Sequence, residues 1–163
     1  MVTLLAGAAF LAVSPLRAQN RTAPVKVVPP LLAIAISDLS FGAVLPGIPA
    51  SVSVRDRMRA GQFEIQGPAD APVRIELVLP KALHNETGAR LPIRFGPGDG
   101  FADFSHGHPP RGQRFDPHAP VIGSLGRNKR LFIWIGGTLL PERTQASGSY
   151  FATIAITVYG LGS

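Results

Sequence analysis

The alternation of side chains near the end of the chain is the feature that most limits what this sequence can fold into. In the segment Tyr150–Tyr159, Ile154, Ile156 and Val158 alternate with small or polar residues. Successive side chains of a β-strand point to opposite faces, so this pattern predicts a strand with one apolar face. The run Leu131–Ile135 precedes it across a polar turn. We therefore predict that the chain closes with two β-strands.

Similar short runs recur along the chain, separated by turn residues that include many of its 18 Gly and 16 Pro. No window has the apolar stripe of an amphipathic helix. About seven or eight strands at this spacing predict an all-β sandwich. The predicted strands are Leu31–Ser37, Ala50–Val54, Gln62–Gln66, Val73–Leu79, Leu91–Phe95, Val121–Leu125, Leu131–Ile135 and Tyr150–Tyr159.

The N-terminus has the pattern of a secretory signal peptide. An apolar run at Leu4–Val13 is too short to span a bilayer, and Pro15 interrupts it before a cleavage point after Ala18. We expect a signal peptide at 1–18, an N-terminal extension at 19–30 and a single β-sandwich domain at 31–163. The alternative is that residues 4–13 form a buried strand or helix. The leader predicts export to the periplasm, the outer surface or the medium.

Composition narrows the classes of function. The sequence has no Cys, which excludes disulfide scaffolds and thiolate sites. Its net charge is +6, but the basic residues are scattered and lack interleaved aromatic residues, so nucleic-acid binding is not expected. An anionic surface or acidic glycan suits an exported basic protein better, although a solvated basic face is the simplest interpretation. No integral membrane segment is expected after the leader.

The segment from Gly96 to Pro120 is rich in Gly, Pro, Asp and His and predicts one long loop. His106 and His108, with Asp116 or His118, could supply ligands for a divalent metal. Nothing in their spacing fixes the geometry that such a site needs. We therefore expect an exposed loop and assign no metal ligands. Its aromatic residues, which could hold it against the sandwich, are Phe101, Phe104 and Phe115.

No catalytic pattern is found. No Ser lies in a G-x-S-x-G elbow, and Asp99, Asp103 and Asp116 share a loop without a rigid scaffold. The glycine-rich stretch at 96–100 contains Pro97 and an acidic residue, which suits a turn better than a phosphate site. We assign no catalytic or cofactor-binding residues, expect no cofactor, and do not expect an enzyme.

Several short motifs, in order, resemble the DUF4402 family of bacterial exported domains. They are DLSFG at 38–42 with Pro46-Gly47, GQFEIQG at 61–67 with VRIELVLP at 73–80, IGGTL at 135–139, and the closing Gln145, Gly148, Tyr150 and Tyr159. The last strand is also similar to that of spore-coat U and chaperone–usher pilin domains. The resemblance implies an immunoglobulin-like antiparallel sandwich of the surface or fimbria-like kind, with no assigned chemistry.

In the wider pilin group, subunits complete one another's sheets by strand addition. The resemblance therefore implies an exported structural or adhesive protein, such as a pilus-like subunit that self-associates or joins other surface subunits. The donor strand would be Gln19–Val28, separated from the first core strand by Pro29-Pro30. The alternative is a monomeric surface module that binds glycan or anionic ligands through the 96–120 loop. Trp134 lies in an apolar run, so we expect it in the core or on a sheet face.

Overall fold

The computed structural model describes residues 30–103 and 112–161, and every regular element in these ranges is a β-strand. This confirms the all-β prediction. The strands are β1 (Leu32–Ser37), β2 (Ala50–Val52), β3 (Gly61–Gln66), β4 (Pro72–Val78), β5 (Ala82–His84), β6 (Arg90–Arg94), β7 (Gly100–Asp103), β8 (Gly112–Phe115), β9 (Val121–Ser124), β10 (Arg130–Ile135), β11 (Gly137–Leu139) and β12 (Ala155–Gly160).

The strands form three antiparallel sheets. The largest has the order β1-β3-β10-β7-β8, and the others have the orders β2-β11-β6-β5 and β12-β4-β9. In an immunoglobulin sandwich, one sheet contains strands A, B, E and D in that order, and the other contains C and F. Strands β1, β3, β10 and β7 follow the first order, and β4 and β12 pair as C and F do.

One hydrophobic core joins the three sheets. Ile65, Ile133 and Ile135 are fully buried from the five-stranded sheet, and Val73 and Ile75 face them from β4. Each fully buried side chain of this size stabilises the fold by about 1.5–3 kcal/mol. The alternation predicted for β4 and β10 is what places these residues on the inner face.

The predicted number of strands was too low. Each of the eight predicted strands has a counterpart, but four further strands, β5, β7, β8 and β11, bring the total to twelve in the described ranges. Two of them lie in the segment that was predicted to be a single loop. Strands β7 and β8 pair antiparallel, and Ala102 of β7 is fully buried against the core.

The last strand is shorter than predicted. It begins at Ala155, whereas the alternation predicted a start at Tyr150. Phe151 instead makes one isolated antiparallel bridge to His84, with both backbone hydrogen bonds at 2.9 Å. The chain therefore changes partner between Phe151 and Ala155, from the end of β5 to the edge of β4.

Three of the predictions concern residues outside the described ranges. These are the signal peptide at 1–18, nearly all of the extension at 19–30, and His106 and His108 of the 96–120 segment. Within the described ranges, no helix is long and apolar enough to cross a membrane.

Candidate functional site

The most unusual feature of the fold is a pair of unpaired strand edges that border one groove. Strand β1 pairs only with β3, and β12 pairs only with β4, in the sheets that residues 30–103 and 112–161 form. The two strands approach each other. In an immunoglobulin sandwich, the free edge of strand F is where strand G pairs. No described strand occupies the corresponding edge of β12.

The two edges run in opposite directions along the groove. At one end, Leu31 before β1 packs on Gly160 of β12, where an added Cβ would lie 3.3 Å from Cδ1 of Leu31. At the other end, Ala35 and Ser37 line a cavity together with Ile154. Because the start of β1 meets the end of β12, a strand inserted between them would run parallel to one edge and antiparallel to the other.

The floor of the groove is apolar and accessible. Ala33 and Ala35 point towards the core, since they pair with Ile65 and Phe63 of β3, yet both are exposed. On the opposite edge, Ile156 and Val158 also face inward, but they are only partly buried. We call this surface the edge groove and define it by Ala33, Ala35, Phe63, Ile154, Ile156 and Val158. Phe63, Ile154, Ile156 and Val158 pack against the core but are only partly buried, and the two alanines are exposed.

The edge groove widens into two adjoining cavities at its open end. A cavity of ≈ 320 Å³ reaches from Ala35 to Ile154, and one of ≈ 670 Å³ lies beside it under the loops 38–46 and 145–151. Both are lined by a mixture of apolar, aromatic and polar side chains. The residues that line both are Asp38, Leu39, Phe41, Leu83, Tyr150 and Phe151.

Hydrogen bonds hold the loops around these cavities in place. The Tyr150 hydroxyl donates to the Ala146 carbonyl at 2.6 Å and accepts from the Gln145 side-chain amide at 2.8 Å. In the facing loop, Gly42 and Gly47 have φ of 66° and 73°, a conformation that favours glycine. The glycines of the DLSFG and Pro-Gly motifs are therefore turn residues, and Gly42 lines the larger cavity.

Two acidic residues of the 96–120 segment, Asp99 and Asp116, stabilise turns. The Asp99 carboxylate accepts a hydrogen bond from the Gly96 amide at 2.7 Å, and the Asp116 carboxylate accepts one from the His118 amide at 2.9 Å. The His118 ring contacts the Phe95 carbonyl through Nε2 at 3.1 Å. Among the described residues, no group of three His, Asp or Glu side chains is placed to hold a metal ion.

Trp134 lies on a sheet face, which is one of the two positions that the sequence predicted for it. Its neighbours Ile133 and Ile135 are fully buried, so the alternation directs Trp134 to the outer face, where it is partly buried. It pairs with Gln62 of β3 on one side and with Phe101 of β7 on the other. Sequence patterns alone left open whether this side chain was in the core.

No protein-family model matches the sequence, and no curated protein matches it. The resemblance to DUF4402 and pilin domains therefore rests on the motifs and stays a prediction. The edge groove is an independent observation, made from the strand pairing.

Proposed function

We propose that this protein is an exported structural subunit of the cell surface or periplasm, with a role in adhesion, which assembles by strand addition. The observation that carries the proposal is the edge groove, which combines two unpaired strand edges with an accessible apolar floor. Unpaired edges are templates for a further strand. In strand addition, main-chain hydrogen bonds supply affinity, and pockets for alternate side chains supply specificity.

The donor that we propose is Gln19–Val28, which lies outside the described residues. Ten extended residues reach about 33 Å, and the six residues of β1 span about 20 Å, at roughly 3.3 Å per residue. The segment is therefore long enough to cover the groove. Val25 and Val27 fall on one face of such a strand and Lys26 and Val28 on the other, so Val25 and Val27 would enter the groove.

The acceptor that we propose is another copy of the protein. To fill its own groove, the segment would have to reverse direction at Pro29-Pro30, directly before β1. Two-residue hairpin turns require positive φ, whereas proline is held near −65° and also favours an extended residue before it. Pro29-Pro30 therefore favours a segment that points away from its own sandwich and towards a neighbour.

The signal peptide supports the same proposal. Cleavage after Ala18 would leave Gln19 as a free N-terminus, and a free end can enter a groove without threading a loop. Export is compatible with the absence of Cys, because the hydrophobic core can stabilise a domain of this size without disulfides.

The experiment is a comparison of the mature protein, residues 19–163, with a truncated protein, residues 29–163. Light scattering should detect assemblies of the mature protein and monomers of the truncated one. A peptide with the sequence of Gln19–Val28 should bind the truncated protein and raise its melting temperature. Stable monomers in both cases would refute assembly by this segment.

Matched substitutions separate strand addition from nonspecific association. Val25→Asp together with Val27→Asp should abolish assembly, because both changes place charge against the apolar floor. Lys26→Asp lies on the opposite face and should leave assembly intact. On the acceptor, Ala35→Arg should block the groove, whereas Thr157→Arg, on the outer face of β12, should not.

A further inference from the structure

The outer face of the five-stranded sheet carries a cluster of aromatic side chains that the proposed function does not use. Phe132 and Trp134 alternate along β10 with Leu131, Ile133 and Ile135, which are fully buried, so the two aromatic side chains face outward. Phe101 of β7 lies directly opposite Trp134. We call Phe101, Phe132 and Trp134 the aromatic platform. All three are partly buried.

The rings of the platform extend across neighbouring strands. A Cβ added to Gly112 of β8 would lie 2.5 Å from the Phe101 ring, so this ring covers the backbone of β8 at a position without a side chain. Phe132 and Trp134 are two residues apart on one strand, which separates them by about 6.8 Å. Together the three rings cover β10, β7 and β8. Such rings also stabilise a sheet through cross-strand contacts.

Polar side chains at fixed positions border the platform on its β3 side. Glu64 lies opposite Phe132 and is only 8% exposed, although it is on the outer face. Its Oε1 lies 3.2 Å from Nε of Arg130 and accepts a hydrogen bond from Nε2 of Gln66 at 2.8 Å. Gln62 lies opposite Trp134. The buried carboxylate is thus held in one position by two donors.

We propose that this face is a binding site for an oligosaccharide. A pyranose ring has an apolar C–H face that packs on aromatic rings, and its hydroxyl groups donate and accept hydrogen bonds at the rim. The platform offers partly exposed aromatic surface, the Glu64 carboxylate offers an acceptor at its edge, and the Gln62 and Gln66 amides offer both donors and acceptors. Ligand sites of this kind combine aromatic surface with a few polar groups that fix orientation.

The charges on this face favour a sugar over the other classes of ligand. The centres of protein–protein interfaces are depleted of charged residues, whereas Glu64 and Asp103 pair with Phe132 on either side. Two arginines balance the carboxylates on this face, because Arg130 lies 3.2 Å from Glu64 and Arg114 of β8 lies opposite Phe101. The face therefore offers no net positive charge for the phosphates of a nucleic acid. A neutral oligosaccharide needs neither a net charge nor an uncharged centre.

The site is separate from the edge groove. Strand addition uses the free edges of β1 and β12, whereas the platform lies on β10, β7 and β8. An assembled array would therefore present many platforms, and weak individual sites would bind a repetitive glycan more tightly through multivalency. The assignment goes beyond the proposed function and does not depend on it.

The test uses Trp134, the only tryptophan of the chain, as its own reporter. The mature protein is titrated with hexasaccharides of glucose, N-acetylglucosamine, xylose and galactose, and binding is followed by tryptophan fluorescence and calorimetry. We expect at least one sugar to change the fluorescence at millimolar concentration or below. No response to all four in either measurement overturns the proposal.

Substitutions then locate the site. Trp134→Ala should lower the calorimetric affinity at least tenfold, Trp134→Phe should retain part of it, and Glu64→Gln should lower it several-fold. Tyr159→Ala is the matched control, because Tyr159 is an exposed aromatic residue on the outer face of another sheet, and its binding should equal that of the wild type. Circular dichroism and the melting temperature verify the fold of each variant.

Two further outcomes would count against the site. Affinity unchanged in a folded Trp134→Ala variant would place the sugar elsewhere. If the truncated protein forms dimers and Trp134→Ala dissociates them, the platform is a protein interface. The first outcome leaves assembly through Gln19–Val28 untouched. The second would contradict the monomeric state expected of the truncated protein, and the mature protein with Val25→Asp and Val27→Asp would then separate the two interfaces, because these changes affect only assembly through Gln19–Val28.

Discussion

The edge groove predicts that two isoleucines in adjacent sheets contribute very differently to stability. Ile133 of β10 is fully buried, whereas Ile156 of β12 faces the same core but is only partly covered. Replacing a fully buried isoleucine by alanine lowers the free energy of unfolding by about 2–5 kcal/mol. The loss combines the transfer free energy of the removed atoms with the cost of the cavity that they leave. In the truncated protein we expect Ile133→Ala to lower the free energy of unfolding by about 3–4 kcal/mol. Ile156→Ala should lower it by half as much, about 1.5–2 kcal/mol.

A bound donor should change only one of these values. When the Gln19–Val28 peptide covers the groove, Ile156 becomes buried, and the cost of Ile156→Ala should rise by about 1–2 kcal/mol. The cost of Ile133→Ala should not change, because its surroundings are already complete. Urea unfolding of both variants with and without saturating peptide measures the four free energies. Equal costs for the two substitutions without peptide would refute the open groove, and a peptide effect on Ile133→Ala would refute its location.

Three other predictions concern local contacts. Gly100→Ala should lower the free energy of unfolding by about 1–3 kcal/mol by overpacking, because the new Cβ would lie 2.6 Å from the Phe115 ring, and an unchanged urea midpoint would contradict this. Tyr150→Phe should cost about 1 kcal/mol through the loss of its hydroxyl hydrogen bonds, and no change would show that they do not stabilise the loop. The hydrogen bond from Arg59 lowers the pKa of Asp56 below its ordinary value of 3.8, so this contact stabilises the fold above that pH and is lost as the pH falls through the lower pKa. NMR titration should show the Asp56 pKa rising towards 3.8 in Arg59→Ala, and an unchanged value would exclude Arg59 as the cause.

The two proposals assign the sandwich two binding surfaces with different chemistry. The edge groove offers backbone hydrogen bonds and an apolar floor, which suits an extended peptide. The aromatic platform offers partly exposed aromatic surface beside a held carboxylate, which suits a polyhydroxylated ligand. Because the surfaces lie on different strands, assembly and ligand binding can be measured separately with the variants described above.

Six of the eight predicted strands match observed strands within one residue at each end, and only Ala50–Val54 and Tyr150–Tyr159 differ by more. Val73–Leu79 and Leu131–Ile135 correspond to β4 and β10 within one residue at each end. Alternation is a local property, because the direction of each side chain follows from the backbone of its own strand. The fold class and the inner faces of these strands could therefore be predicted.

The strands that were missed carry little local pattern, and two of them, β7 and β11, also depend on partners far along the chain. Strands β5 and β11 have three residues each, too few to show a period. In the segment from Gly96 to Pro120, β7 and β8 hold their conformation through pairing with β10 and with each other, and through the burial of Ala102. Composition rich in Gly and Pro predicted a loop here, because propensity describes the isolated segment, whereas tertiary contacts outweigh it.

The amino-acid sequence by itself determined the all-β class, the inward residues of the strongly alternating strands and the positions of many turns. Only the tertiary structure decided that β1 and β12 are edges of one groove and that Trp134 lies beside Phe101 on an outer face. The reason is that a period of two assigns a side chain to one of two faces but carries no information about which strand pairs with which. Edges, grooves and platforms are properties of strand order, which is set by contacts between residues distant in the chain.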